Sequence, residues 1–348
     1  MSEFSGITSV RRGQVLLIVE GEKQEPKFLS LLSGCFPELS ISQENVITYR
    51  TNIYRLYNDI IREYGETCFE DKDDIDLPFV VTRNDAIPLR KTNFTDIILI
   101  FDYERQDSCY SEKKITEMQN YFSDTTDMGK LYINYPMLES YKDFNGFPDS
   151  SYQHKKVFVS PHYNLEDNVT IGEYKRFVFD TYVDRNTGFH DRLKGILQNN
   201  GLEESRIDDV LKCLLCLRRD FEETILLDQI ESILKPFYPL EETLKNRAYQ
   251  VKGEILRRGY YQIGLNYWEF LRTIFKNIII ANICKANMIQ DGKYDIASEA
   301  LEYNYHKLDY STILHEQNRC SAGTDGFIWI LNTSVFFVID YNFGLIEE

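Results

Sequence analysis

Two nearly continuous apolar runs constrain the fold of this chain most, "QVLLIVEG" beginning at Gln14 and "TDIILIFDYE" beginning at Thr95. Both are short and lack the polar alternation of a strand with one wet face, the pattern of strands buried on both faces of a parallel sheet. Each leads into a helical period. After the first comes "EPKFLSLLSG", with Pro26 suited to a first helical position, Phe28, Leu29 and Leu32 sharing a face, and Gly34 placed to end the helix. "NVITYRT" then reads as a strand and "IYRLYNDIIREYG" as a helix with Ile53, Leu56, Tyr57 and Ile60 in one stripe. "SEKKITEMQNYF" follows the second run as a helix, and "KLYINYP" supplies another strand. Strands that alternate with helices predict an α/β fold, a parallel sheet flanked by helices.

Residues 66–92 interrupt the alternation. They are irregular and acidic, with "EDKDDID" at their centre, and read as an inserted lobe or long loop. Beyond residue 150 helical patterns dominate, in "IGEYKRFVFDTYV", around 205–233, and in "NYWEFLRTIFKNIIIANICKANMI". The expected organisation is an α/β unit over 1–149 carrying the insertion at about 66–92. A mostly helical region over 150–348 packs on that unit or binds a partner.

With 348 residues and 43% hydrophobic content, the chain can fill a core without covalent staples. Its seven cysteines are an odd number without framework spacing and suit a reducing compartment. The single C-x-x-C, Cys213 and Cys216, lies in a helical pattern and has two readings, a zinc pair or small buried residues on a helix. No signal-peptide run is present, and the longest apolar stretch, "FIWILNTSVFFVI", includes Asn332 and falls short of the ~18 residues of a membrane span. A soluble cytoplasmic protein without a membrane partner is expected. The net charge of −16 argues against coating nucleic acid through a broad positive field, though not against gripping it locally. Scattered basic pairs, Lys175 and Arg176 among them, read as solvated faces.

The strands end in acids. Glu20 follows the first run, Asp102 and Glu104 end the second, and Glu139 follows "INYPML". In a parallel sheet these ends share one edge, where ligands of open α/β sheets bind. Converging carboxylates repel unless a cation or proton compensates them. Hard divalent ions such as Mg²⁺ take oxygen ligands and act with phosphate substrates, and two ions roughly 4 Å apart stabilise both oxygens of an in-line displacement. Metal-assisted phosphoryl chemistry is therefore the expectation. The plainer reading is that an acid after a strand opens a loop or caps a helix, which suits Glu22 and Glu25 at the entrance of the Pro26 helix.

Taken in order, "VLLIVEGEKQEPKFL", "ILIFDYERQD" and "YINYPMLESYKDF" resemble the Toprim fold, and within it the RloB-like and OLD-type nucleases of bacterial phage defence. A hydrophobic strand ending in Glu-Gly and a later one ending in Asp-x-Asp make the Toprim pattern, and "PMLES" resembles the P-x-x-E block of RloB-like proteins. "TNIYRLY" is similar to Toprim effectors that work beside an ABC-type ATPase, as in the PARIS and AbiL abortive-infection systems. The resemblance covers roughly residues 14–145.

It implies a Mg²⁺-dependent endonuclease, with Mn²⁺ as a substitute, that cuts DNA or RNA, tRNA included, as the toxic effector of a defence system. An ABC- or SMC-like ATPase partner would control it, with self-association on release. Glu20 would ligate metal or move a proton, and Asp102 and Glu104 would hold the metal. Glu104 stands where the pattern has a second aspartate, which leaves Glu104 and Asp107 as alternatives. Glu139 would be a further ligand, and Lys23 and Lys142 would contact the scissile phosphate. The rival expectation is a Toprim-like module that binds or regulates without cleaving. Primase and topoisomerase chemistry fit less well, because no zinc-ribbon cysteines or evident tyrosine nucleophile appear. The chain has no G-x-x-x-x-G-K-[ST] loop, no G-x-G-x-x-G after a strand and no G-x-S-x-G elbow, and its five histidines lack zinc spacing.

Overall fold

A computed structural model describes residues 15–125, 128–161, 169–218, 223–258 and 264–347. The first apolar run is β1 (Val15–Val19), whose last four residues are buried, and it leads into α1 (Gln24–Cys35). β2 (Val46–Thr48) and α2 (Ile53–Tyr64) follow, α2 opening on Asn52, whose side chain accepts the Arg55 N–H, and closing on Gly65 at φ +97°. Then come α3 (Leu77–Thr82), β3 (Asp96–Asp102), α4 (Glu112–Tyr121), β4 (Ser123–Asp124) and β5 (Gly129–Asn134).

The sheet order is β2-β1-β3-β5-β4, parallel except for the short edge strand β4. This is an α/β fold with a mostly parallel five-stranded sheet flanked by helices. The topology places one crevice. From the adjacent strands β1 and β3, the chain leaves in opposite directions, through α1 to β2 and through α4 to β5. Diverging connections open a gap at the carboxyl ends of such a strand pair, the position where ligands of doubly wound sheets bind.

The acidic stretch 66–92 is a packed lobe rather than a bare loop. Cys68, Phe69, Ile75, Leu77 and Val80 are buried, Phe69 stacks on Tyr57 of α2, and the Ile75 N–H donates to the Tyr121 hydroxyl.

After β6 (Lys156–Phe158) the chain forms α5 (Ile171–Phe177), α6 (Tyr182–Thr187), α7 (Phe189–Asn199), α8 (Glu204–Leu215), α9 (Glu223–Leu234), α10 (Glu241–Arg258) and α11 (Tyr267–Asp291). α12 (Leu301–His306), α13 (Tyr310–Ser321), β7 (Phe327–Trp329) and α14 (Phe337–Tyr341) complete it, with β7 antiparallel to β6. "IGEYKRFVFDTYV" is thus two helices. They are separated at Asp180, which adopts φ +83°, and α6 restarts with Thr181 as its side-chain cap.

One hydrophobic cluster runs from Leu16 of β1 to Ile346, so the helical region packs on the α/β core. Gly34 shows how closely. It lies inside α1 rather than ending it, and a Cβ there would stand 2.2 Å from the Trp268 ring of α11. Among the described residues, no helix is long and apolar enough to cross a membrane.

Candidate functional site

Strand register brings the acids to one edge. Val19 pairs with Ile100, so Glu20 lies level with Phe101 and one residue short of Asp102, which pairs with Asn134 at the end of β5. The Asp102 N–H donates to Glu20 Oε2 at 3.1 Å, and Asp102 Oδ1 accepts the Leu138 N–H at 2.8 Å. Leu138 precedes Glu139 in the turn after β5, so these two bonds join all three strand ends. Gly21 fits the same design. Its N–H donates to Glu25 Oε1 at 3.0 Å, and a Cβ at position 21 would meet Glu25 Oε2 at 2.6 Å.

Electrostatics follow from this crowding. Burial first, then Glu104, pushes Glu20 up to about 8; Glu25 adds to the rise, and the Asp102 N–H and the Lys175 ammonium oppose it. Burial, then the charges of Glu20, Glu139, Glu25 and Glu104, holds Asp102 well above the usual carboxylate range. Glu104 is raised by burial, drawn down by Lys175, raised by Asp107 and drawn down by a hydrogen bond to Asn52. Glu25 is raised chiefly by burial, with Glu139 contributing through its charge.

Glu20, Asp102, Glu104 and Glu139 therefore form one electrostatic group. Between the alternatives after β3, Glu104 faces it, whereas Asp107 Oδ1 accepts the Cys109 N–H of its own turn at 2.6 Å. Glu104 adopts φ +41°, a left-handed conformation that non-glycine residues rarely hold. Glu25, assigned from sequence to helix entry, is buried within the same group; its signal was its spacing four residues after Gly21. Glu22 is peripheral and pairs with Arg50 at 2.5 Å on the surface.

The lysines separate. Lys23 is exposed at the start of α1 and lines an open cleft of about 430 Å³ with Glu20, Glu25 and Arg50. Lys142 does not face the cleft. It is buried, with its Nζ 3.0 Å from Asp184 Oδ1 of α6. Lys175 is exposed, as a surface cation was expected to be, yet its charge reaches Glu20 and Glu104 across the chain. Nothing local in the sequence linked it to the strand ends.

The segment after β7 holds the third strand end in place. Tyr135 and Leu331 exchange backbone bonds at 2.8 and 2.9 Å. Asn332 Nδ2 donates to the Leu138 carbonyl at 2.6 Å, and the Ser334 hydroxyl donates to Asn134 Oδ1 at 2.8 Å. The polar trio Asn332–Thr333–Ser334 inside an apolar stretch was the sequence signal for this role.

Among the described residues, no three His, Cys, Asp or Glu side chains are already gathered as a metal-ligating group. Cys213 and Cys216 are both exposed, which overturns their reading as buried packing residues. The chain matches no family model, and comparison with curated proteins and with solved structures gave no match.

Proposed function

We propose that this protein is a metal-dependent endonuclease of Toprim type that hydrolyses nucleic-acid phosphodiesters. The observation that carries the reading is the pair of bonds from Asp102, to Glu20 and to Leu138, which ties three acidic strand ends together at the crevice of a parallel sheet.

The donor chemistry suits a hard divalent cation. Glu20, Asp102, Glu104 and Glu139 offer only oxygen, and one oxygen of Glu20 and one of Asp102 is committed to a backbone amide that fixes its carboxylate. Burial first, and then neighbouring carboxylate charge, raises the proton affinity of Glu20, Asp102 and Glu104, and a bound cation would offset that charge. Bound there, Mg²⁺ or Mn²⁺ would supply an activated water and neutralise charge on the scissile phosphate. Glu20, whose proton affinity burial and Glu104 raise, is placed to hold or release a proton beside the cation. Lys23 at the cleft and Lys175, whose charge reaches Glu20, are cations that could meet a phosphate; Lys142 is committed to Asp184. Action as a toxic effector under an ATPase partner extends the reading by the sequence resemblance alone.

A second reading has its own support. With no ligand group already gathered among the described residues, the chain would serve as a binding or regulatory module that cleaves nothing. One assay separates the two: plasmid DNA and total tRNA incubated with wild type and Glu20→Ala, with Mg²⁺, Mn²⁺ or EDTA. Cleavage lost both in EDTA and in Glu20→Ala is the expected result. Cleavage that survives Glu20→Ala removes this site from the mechanism, and no cleavage by wild type, alone or with an ATPase partner, leaves the binding module.

A further inference from the structure

The segment Lys175–Arg176–Phe177–Val178–Phe179 spans the last turn of α5 and the start of the link to α6, and the charge of Lys175 reaches Glu20 and Glu104 of the acidic edge. Val178 is 1% exposed and anchors it, while Phe177 and Phe179 on either side are 65% and 44% exposed. An isolated exposed aromatic is ordinary; two flanking a buried anchor and preceded by two cations are not a solvated face.

The segment is also built in. Asp184 receives Lys142 Nζ on Oδ1 and the Asp180 N–H on Oδ2, each at 3.0 Å. The Thr181 hydroxyl donates to the Lys142 carbonyl at 2.6 Å. Lys142 Nζ lies 5.2 Å from the Phe179 ring centroid and braces that ring. These contacts rivet the aromatic segment to the turn that carries Glu139, three residues before Lys142. The Phe179 ring and the backbone beside it are therefore held relative to the turn that carries Glu139.

We propose that Phe177 and Phe179 are a stacking platform for unpaired bases, and that Lys175 and Arg176 engage the phosphates of the same single strand. The proposal rests on the reading of the acidic edge as the seat of a phosphodiester, and it names the substrate class as single-stranded nucleic acid. Charge favours this occupant over a protein partner. A polyanion approaching a cluster of carboxylates on a chain of net charge −16 needs local cations, and here they directly precede the rings. Exposed aromatics interleaved with cations are how sequence-tolerant single-strand sites are made.

The test is binding of fluorescein-labelled oligothymidylate and of a duplex of equal length, read by anisotropy with the full chain in EDTA. Phe177→Ala and Phe179→Ala should each weaken oligothymidylate binding about tenfold, and the double variant about a hundredfold. Phe177→Trp should keep the affinity and show indole quenching on binding, which a merely structural role would not produce. Lys175→Ala and Arg176→Ala should each reduce the slope of log affinity against log salt by about 0.7.

Alanine variants that bind like wild type overturn the platform, and so do equal affinity for duplex and no binding by wild type. If the alanine variants instead lose only association with a protein, the surface belongs to that partner. Cleavage is scored separately with Mg²⁺ on wild type and Glu20→Ala. Wild-type cleavage with oligothymidylate binding that does not depend on Phe177 and Phe179 removes the platform alone, whereas binding that depends on them without cleavage removes the nuclease reading alone.

Discussion

The backbone N–H of Asp102 donates to the carboxylate of Glu20 at 3.1 Å, across the strand pair whose connections diverge. The acid that ends one strand is thereby held by the acid-bearing end of its neighbour. Geometry and charge are joined in that contact: the charge of Glu20 makes the buried Asp102 harder to ionise, while the Asp102 N–H eases the ionisation of Glu20.

The pH dependence of stability should report this. Glu20 has a folded value of about 8, above its ordinary 4.5, so the unfolded chain gives up the proton first. Its contribution is full below about pH 4.5 and is lost as pH rises towards 8. In EDTA, Tm should fall across that window, and Glu20→Gln should flatten the fall. Mg²⁺ should raise Tm more at pH 8.5 than at pH 5.5, measured by calorimetry. An equal Mg²⁺ effect at both pH values would count against a carboxylate site.

Gly21→Ala forces a Cβ to within 2.6 Å of Glu25 Oε2, so the Glu25 carboxylate must turn away and lose its bond from the Gly21 N–H. A loss of about 1 kcal/mol is expected in urea unfolding. The cost should shrink in a Glu25→Ala background, where no carboxylate obstructs the Cβ.

Glu104→Gly should separate stability from activity. The left-handed backbone at φ +41° costs a non-glycine residue roughly 1 kcal/mol, partly offset by the greater unfolded freedom of glycine. Removing a repelling charge also favours the folded state. Tm should hold or rise while cleavage drops at least tenfold; a lower Tm would show that Glu104 is a structural residue.

Gly34→Ala sets a methyl group against the Trp268 ring and should cost about 1–3 kcal/mol. In a Trp268→Ala background the same change should cost under ~0.5 kcal/mol. Additivity of the two substitutions would mean that α1 and α11 do not meet there.

Lys142→Met breaks a pair in which the lysine side chain is 5% and the aspartate side chain 23% exposed. The partial exposure of Asp184 softens the penalty, so a loss of roughly 2–3 kcal/mol is expected. Proteolysis should then appear first in the loop at 178–181, which the pair anchors. Unchanged stability with lost cleavage would return Lys142 to a direct role at the phosphate.

The sequence alone determined the alternation of strands and helices and the sharing of one edge by Glu20, Asp102, Glu104 and Glu139. Those features follow from local periodicity and from the geometry of any parallel sheet, which puts every strand end on the same side. Tertiary structure decided the rest. Lys142 went to Asp184, Lys175 came to the acids, Gly34 yielded to Trp268, and Asn332 and Ser334 locked the end of β5. Each partner lies tens to hundreds of positions away, and a charge or a small side chain does not encode which distant group will meet it. Glu25 marks the boundary between the two. Its spacing from Gly21 was local, but its burial among the other carboxylates required the neighbouring strands.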